Sequence, residues 1–360
     1  MTIKPISVLV VDDSPVAAMV LSQILGSDAA IRVVGVVADG QTAVDFVRRG
    51  LTDLVLMDFH MPYMNGGAAT RRIMQAHPVP VVICSGVSEP GDIQRSFGVL
   101  EAGALACVAK PDGSGTVDDC RKIAGLLQTV KLMAEVKVVR HWSPGSSQRT
   151  AEDCGSVPIE AGERPRYKIV GIGASTGGPM AIKAILEGLP DGFPIPILVV
   201  QHICAGFVQG LVGWLASTTP LKVAIATQGG RPLPGHVYLA PDGRHLEIGK
   251  GFCLQLSSTP PMQGPRPSVS RLFDSLAIEC GREAIGVLLT GMGTDGAAEL
   301  AYMKQRGAMT IVQDCESCVV AGMPGEAIAL GAATLILPPE KISGILSALV
   351  RSVARKAGAA

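Results

Sequence analysis

The chain lacks an excess of either charge: 31 basic residues face 31 acidic ones among 360, and the formal net charge is zero. A wholesale polyanion binder would show a basic surplus, so no nucleic-acid partner is expected. Aromatic residues are sparse at 4% and charged residues reach only 17%, against 48% hydrophobic. That balance excludes general disorder. No run reaches the ~18 uninterrupted apolar residues that span a bilayer, so direct membrane insertion is not expected. The first apolar run ends on Asp12 and Asp13, where a secretory signal would carry no carboxylates. The nine cysteines are odd in number and scattered, which argues against a disulfide framework and for a reducing, cytoplasmic location. The Cys315–Cys318 pair is a lone CxxC, and burial rather than metal binding is expected for it. What the chain does have is 43 glycines among small apolar residues. They suit tightly packed α/β layers with many strand-to-helix turns.

Over residues 1–125, strands are expected at Ser7–Val11, Ile31–Ala38, Leu54–Met57, Val79–Ser85 and Leu105–Ala109. Helices are expected at Val16–Leu25, Gln41–Arg49, Gly67–Ala76, Asp92–Ala102 and Thr116–Val136. Five βα units with short links predict a five-stranded doubly wound parallel sheet. Residues 126–166 hold the end of the last helix and, from 137, a polar Pro/Gly/Ser-rich stretch that reads as a flexible linker. The βα rhythm returns over 167–354. A second, mostly parallel α/β domain is expected there, with antiparallel hairpins in the turn-rich stretch Leu221–Ser257.

In open parallel sheets, sites form beyond the carboxyl ends of the strands. In the first half those ends carry Asp12-Asp13, Asp58, Ser85 and Lys110-Pro111. Three converging carboxylates repel unless a cation joins them, and hard oxygen ligands suit Mg²⁺. A lysine and a hydroxyl opposite could hold the oxygens of a phosphoryl group on Asp58. Residues 1–125 resemble a response-regulator receiver domain, through Val10-Val11-Asp12-Asp13-Ser14, Leu56-Met57-Asp58-Phe59-His60-Met61-Pro62, Ser85 and Ala109-Lys110-Pro111. The resemblance implies a flavodoxin-like sheet and Asp58 as phosphoacceptor. It implies Asp12, Asp13 and Asp58 as metal carboxylates, with the His60 main-chain carbonyl completing the shell, and Ser85 and Lys110 as phosphate-sensing groups. An aromatic residue is common three positions before the lysine; Cys107 stands there.

In the second half, Gly173-Ala174-Ser175-Thr176-Gly177 fits G-x-S-x-G between a strand and a helix, a turn that exposes the serine hydroxyl. His202 follows the apolar strand Ile195–Gln201, and Asp295 lies in the turn after the strand Glu283–Thr290. All three therefore occupy one rim. His202 would take the Ser175 proton, and Asp295 would orient the imidazole and stabilise its charged form. The chain order Ser, His, Asp differs from the α/β-hydrolase order. His236 and His245 are weaker candidates. Gly291-Met292-Gly293-Thr294-Asp295-Gly296 also fits a dinucleotide fingerprint, with Asp314 ending the next strand. Asp295 counts against that reading, because it would repel a pyrophosphate in the same loop.

Ile172-Gly173-Ala174-Ser175-Thr176-Gly177-Gly178-Pro179, Gln201-His202, Leu289–Gly296 and Ser317–Pro324 are together similar to the methylesterase domain of the chemotaxis protein-glutamate methylesterases. That resemblance implies a hydrolase that demethylates glutamyl γ-methyl esters on methyl-accepting chemoreceptors and deamidates glutamines by the same route. It implies the Met292 main-chain N–H as an oxyanion donor and Thr176 as a supporting neighbour. It also implies a chemotaxis histidine kinase as phosphodonor, Mg²⁺ for receiver phosphorylation and no cofactor for the esterase. Two other classes compete: a receiver-linked non-catalytic adaptor, and a nucleotide-binding oxidoreductase built on Gly291–Gly296.

Overall fold

The computed structural model describes residues 4–86, 97–136, 138, 167–259 and 265–351. Nearly all of the expected linker, the start of the helix expected at Asp92 and the end of the last helix lie outside the described residues. The first sheet contains β1 (Ile6–Val11), β2 (Ile31–Val37), β3 (Leu54–Met57), β4 (Val81–Ser85) and β5 (Ala106–Ala109), in the order β2-β1-β3-β4-β5 and parallel throughout. Strands β3 and β4 are buried at every position, as their unbroken apolar runs require when helices cover both faces. The helices Pro15–Gly26, Gly40–Val47, Gly66–Ala76 and Val117–Met133 open on Ser14, Asp39, Asn65 and Thr116. Each of these side chains accepts from a main-chain N–H three residues on, which satisfies a donor the helix itself cannot.

The second sheet contains β6 (Ile169–Ala174), β7 (Ile197–Gln201), β8 (Lys222–Ile225), β9 (His236–Leu239), β12 (Ala284–Leu288), β13 (Met309–Gln313) and β14 (Leu335–Leu337). Its order is β14-β13-β12-β6-β7-β9-β8, and every pairing is parallel. Strands β10 (His245–Gly249) and β11 (Cys253–Ser257) form a separate antiparallel hairpin. The expected α/β architecture therefore holds, with one correction in the middle stretch. Only 245–257 is a hairpin, whereas β8 and β9 extend the main sheet in parallel. The Pro234-Gly235 turn, which looks like a hairpin signal, instead belongs to a connection that returns β9 between β7 and β8. The helix Gly322–Ala329 and strand β14 were not anticipated. Gly322, Pro324 and Gly325 argue against a helix by propensity, and three residues are too few to show a period.

The two sheets meet through side chains. Phe97, Val99, Leu100 and Cys107 from the first half share a hydrophobic cluster with Ile203, Cys204, Phe207 and Trp214 from the second. The Phe97 ring stacks on Trp214 at 5.8 Å and meets Phe207 edge-on at 6.4 Å. Lys183 lies 3.6 Å from Glu101 across the same boundary. Burial raises the Cys204 thiol pKa, against a smaller opposing effect of its hydrogen bond to the Ala109 main chain. No disulfide forms among the described cysteines. Burial of the CxxC pair is not met: Cys315 is exposed in the turn after β13, while Cys318 is partly covered. Among the described residues no helix is long and apolar enough to cross a membrane.

Candidate active site

The order of the second sheet reverses at β6, which has β7 on one side and β12 on the other. Crevices at such reversals are the usual ligand sites of open α/β sheets. Ser175 follows β6, His202 follows β7, and Asp295 lies in the loop after β12, so the three flank this crevice. Gly177 has φ 78°, which lets the chain turn sharply from Ser175 into the helix Gly178–Glu187. The main chain fixes the serine from the β12 side, where the Ser175 N–H donates to the Thr290 carbonyl at 3.0 Å and the Thr290 hydroxyl donates to the Thr176 carbonyl at 2.9 Å. Ser175 is 9% exposed.

His202 Nε2 and Asp295 Oδ2 are 2.8 Å apart. An ionised carboxylate only accepts, so Nε2 carries the proton and Nδ1 is the nitrogen left to act as a base. Asp295 also accepts from the Ser268 hydroxyl at 2.8 Å and from the Val269 and Ser270 main-chain N–H groups at 2.7 and 3.1 Å. Those groups open the helix Val269–Glu279, whose N-terminus favours an anion. Burial opposes the charge on Asp295, but the hydrogen bonds and charge of His202 together with the helix groups outweigh it. The Asp295 pKa falls far below the usual carboxylate range. The helix can lie this close because β6 is thin. A Cβ on Gly173 would stand 2.2 Å from the Val269 side chain.

A cleft of about 940 Å³ opens beside this pair, lined by His202, Met292, Thr294, Asp295, Arg271 and Glu299 among others. The Met292 N–H has no hydrogen-bond partner among the described residues, so it remains available as a donor. Thr176 contributes its carbonyl to the Thr290 hydroxyl. The loop Gly291–Gly296 carries its own carboxylate, Asp295, which is bound to the N-terminus of the neighbouring helix Val269–Glu279 and would repel a pyrophosphate placed in the loop. His245, a weaker candidate from sequence, is buried in the wall of this cleft. Its Nδ1 accepts from the Ser268 N–H at 3.1 Å, and its Nε2 donates to the Thr259 carbonyl at 3.1 Å. Burial, ahead of the opposing hydrogen bond, lowers its pKa. His236 stacks on Tyr238 instead. Ser268 and Ser270 were missed by sequence reasoning, although a Ser-x-Ser at a helix start does signal spare N–H groups.

In the first half, Asp12, Asp13 and Asp58 bring carboxylate oxygens within 4.8 Å of one another. Lys110 Nζ lies 2.7 Å from Asp12 and 3.0 Å from Asp58. Burial pushes the Asp58 pKa above the ordinary carboxylate range, and the nearby Lys110 only partly offsets it. Burial alone would lower the Lys110 pKa, yet the two carboxylates hold it above the ordinary lysine value. Ser85 is 1% exposed at the end of β4, and among the described residues its hydroxyl makes one long 3.4 Å contact, to the Gly86 carbonyl. Three hard oxygen donors around one point, with a lysine balancing part of their charge, fit a small divalent cation.

Comparison with known proteins agrees with both halves. Residues 170–346 match the family model described as CheB methylesterase, and residues 8–120 match that of the response regulator receiver domain. The chain is 47% identical over 345 residues to protein-glutamate methylesterase/protein-glutamine glutaminase 4 of Geobacter metallireducens, covering 96% of this chain and 99% of that protein. The protein-glutamate methylesterase/protein-glutamine glutaminase of Nitrosospira multiformis is also 47% identical, covering 96% and 97%. The crystal structure of the Thermotoga maritima CheB methylesterase catalytic domain aligns with a TM-score of 0.50 at 40% identity, covering 51% of this chain and 99% of that one.

Proposed function

Because the chain belongs to the protein-glutamate methylesterase/protein-glutamine glutaminase family, we propose that Ser175, His202 and Asp295 hydrolyse glutamyl γ-methyl esters, and deamidate glutamines, on chemoreceptors. The observation that carries this reading is the His202–Asp295 hydrogen bond at the strand ends flanking Ser175. Ser175 Oγ attacks the ester carbonyl while His202 Nδ1 takes its proton. Asp295 stabilises the resulting imidazolium. The Met292 N–H donates to the oxyanion, an interaction worth ~10²–10³ in turnover for one donor. His202 then returns the proton to the departing methoxide, and methanol leaves an acyl-serine. Water attacks the acyl-serine, giving its proton to His202, and the glutamate and free Ser175 are restored. For glutamine the leaving group is ammonia. Thr176 supports the turn that presents Ser175.

We take residues 1–125 as a receiver domain, 126–166 as helix end and linker, and 167–354 as the catalytic domain. Asp58 is the phosphoacceptor in this reading, and a chemotaxis histidine kinase supplies the phosphoryl group. Asp12, Asp13 and Asp58 would hold Mg²⁺, whose chemistry when bound is charge neutralisation. Lys110 and Ser85 bind the phosphoryl oxygens. The receiver packs on the segment that leaves His202, through Phe97 against Phe207 and Trp214. Phosphorylation weakens that packing and frees the approach to Ser175. A bias of 1.4–2.8 kcal/mol corresponds to roughly 10–100-fold.

Methanol release from a methylated receptor, with and without a small phosphodonor, tests the control. The wild type should rise about 10–100-fold, whereas Asp58→Asn should keep its basal rate and lose the rise. Chelating divalent cations should remove the rise from the wild type and leave the basal rate intact. Full stimulation of Asp58→Asn would reassign the phosphoacceptor.

A further inference from the structure

We propose that Gln201 is a positioning residue that sets the spacing between Ser175 and His202. The inference rests on the reading of those two residues as nucleophile and base. Gln201 is the last residue of β7 and is 5% exposed. Its Nε2 group donates to the Ser175 carbonyl at 2.7 Å and to the His202 carbonyl at 2.8 Å. A side-chain amide has two N–H donors, and here each holds the main chain of one of the two reacting residues.

The position of this clamp explains why it matters. The last main-chain link between the two strands is the His202 N–H to the Ala174 carbonyl, at 2.9 Å. Beyond it the chains part: Ser175 enters the turn toward Gly178, and His202 leaves toward Ile203. No other single side chain among the described residues bonds the main chain of both. Thr290 grips the serine from the β12 side only.

The amide orientation follows from chemistry. Turned over, it would set Oε1 against two carbonyl oxygens at hydrogen-bonding distance. In the correct orientation Oε1 is buried with no hydrogen-bond partner among the described residues, which costs stability. An apolar side chain would remove that orphan but leave the His202 carbonyl without its Gln201 donor, while the Ser175 carbonyl would keep only the Gly178 N–H. What is particular to Gln201 is that its two N–H groups tie the main chain of both reacting residues to one side chain. Gly178 leaves room for the amide, since a Cβ there would stand 2.1 Å from Oε1.

The test uses the full chain with Gln201→Met, which keeps the length and removes both donors, and Gln201→Glu, which keeps the shape and replaces donors by an acceptor. A fluorophosphonate probe reads the Ser175–His202 pair directly. Ser175 Oγ bonds to phosphorus, fluoride departs, and His202 takes the hydroxyl proton. Both variants should lose about 10²-fold in labelling rate and in kcat, the scale of an ångström-level misplacement. KM should stay within about twofold and the unfolding midpoint within a few degrees, a pattern that a general loss of structure does not give. Gly178→Ala displaces the amide while leaving Gln201 in place, and it decides the matter if the Gln201 variants do not fold. Its labelling rate should fall in the same sense. Wild-type labelling and kcat in the variants that fold, or a change in KM alone, would overturn the inference. A wild-type protein that takes no label at Ser175 overturns the nucleophile reading itself, and with it this one.

Discussion

Ser175→Ala is expected to lower methanol release from a methylated receptor by on the order of 10⁴–10⁶-fold, in the range seen when a hydrolase nucleophile that works as one unit with its base is removed. The other two groups of the triad are already engaged. His202 Nε2 is committed to Asp295, and Asp295 is committed to His202 and the helix groups of Ser268, Val269 and Ser270. The free thiol of Cys204, two residues after His202, is held against the receiver at Ala109 with its pKa raised, which makes it a poor substitute nucleophile. Residual catalysis would come from the Met292 N–H and substrate binding alone. The assay is methanol production per receptor with the phosphodonor present, the condition under which the proposed control gives full activity. Retention of even a tenth of wild-type turnover would rule out Ser175 as the nucleophile.

Asp295→Asn is expected to lower kcat by roughly 10⁴-fold, as when the orienting carboxylate of a Ser-His-Asp set becomes an amide. The geometry gives the reason. Asp295 receives four donors: the His202 ring, the Ser268 hydroxyl and the N–H groups of Val269 and Ser270. An amide offers one acceptor oxygen, and its NH₂ would face groups that themselves donate. Either the helix N-terminus or the imidazole must lose its partner, and the imidazole is then free to take the wrong tautomer. Leaving such groups unpaired costs about 1–3 kcal/mol of stability. The pH dependence has a definite sign. The folded pKa of Asp295 is depressed, so its contribution is complete above the unfolded carboxylate value of about 3.9 and is lost as pH falls below it. Urea unfolding should show wild type more stable than Asp295→Asn at pH 6, with the difference shrinking below about pH 4. A difference independent of pH would mean that Asp295 is not bound as an anion.

Strand-end reasoning put Ser175, His202 and Asp295 on one rim because parallel strands deliver their carboxyl ends to the same side. The sheet order then places β6 between β7 and β12. The same logic gathered Asp12, Asp58, Ser85 and Lys110 at the mouth of the first sheet. What holds these groups was less legible. The donors around Asp295 come from residues 268–270, and only tertiary packing of the helix Val269–Glu279 over Gly173 brings them there. Gln201 stands beside His202 in a motif that carries the resemblance, but its role there was not legible, because its partners are main-chain carbonyls that carry no sequence signal. The path of β8 and β9 escaped for a related reason: glycine and proline mark where a chain turns, not which strand it joins. The packing of Cys107 and Cys204 near each other in the shared cluster was equally invisible, since each lies in an unremarkable apolar run of its own half.

The ring stack between the halves also gives the protein an optical reporter. The chain has only two tryptophans. Trp142 falls in the expected linker, and Trp214 is 5% exposed, seated on Phe97. A Trp142→Phe variant leaves a single indole whose emission reports the contact at Phe97. Separation of the halves on phosphorylation would admit water to that ring, shift its emission to longer wavelength and make it accessible to a soluble quencher. An unshifted spectrum after full phosphorylation would mean that the Phe97 contact survives activation. The same signal, followed in time after mixing with a phosphodonor, would give the rate at which the cover opens, independently of any turnover.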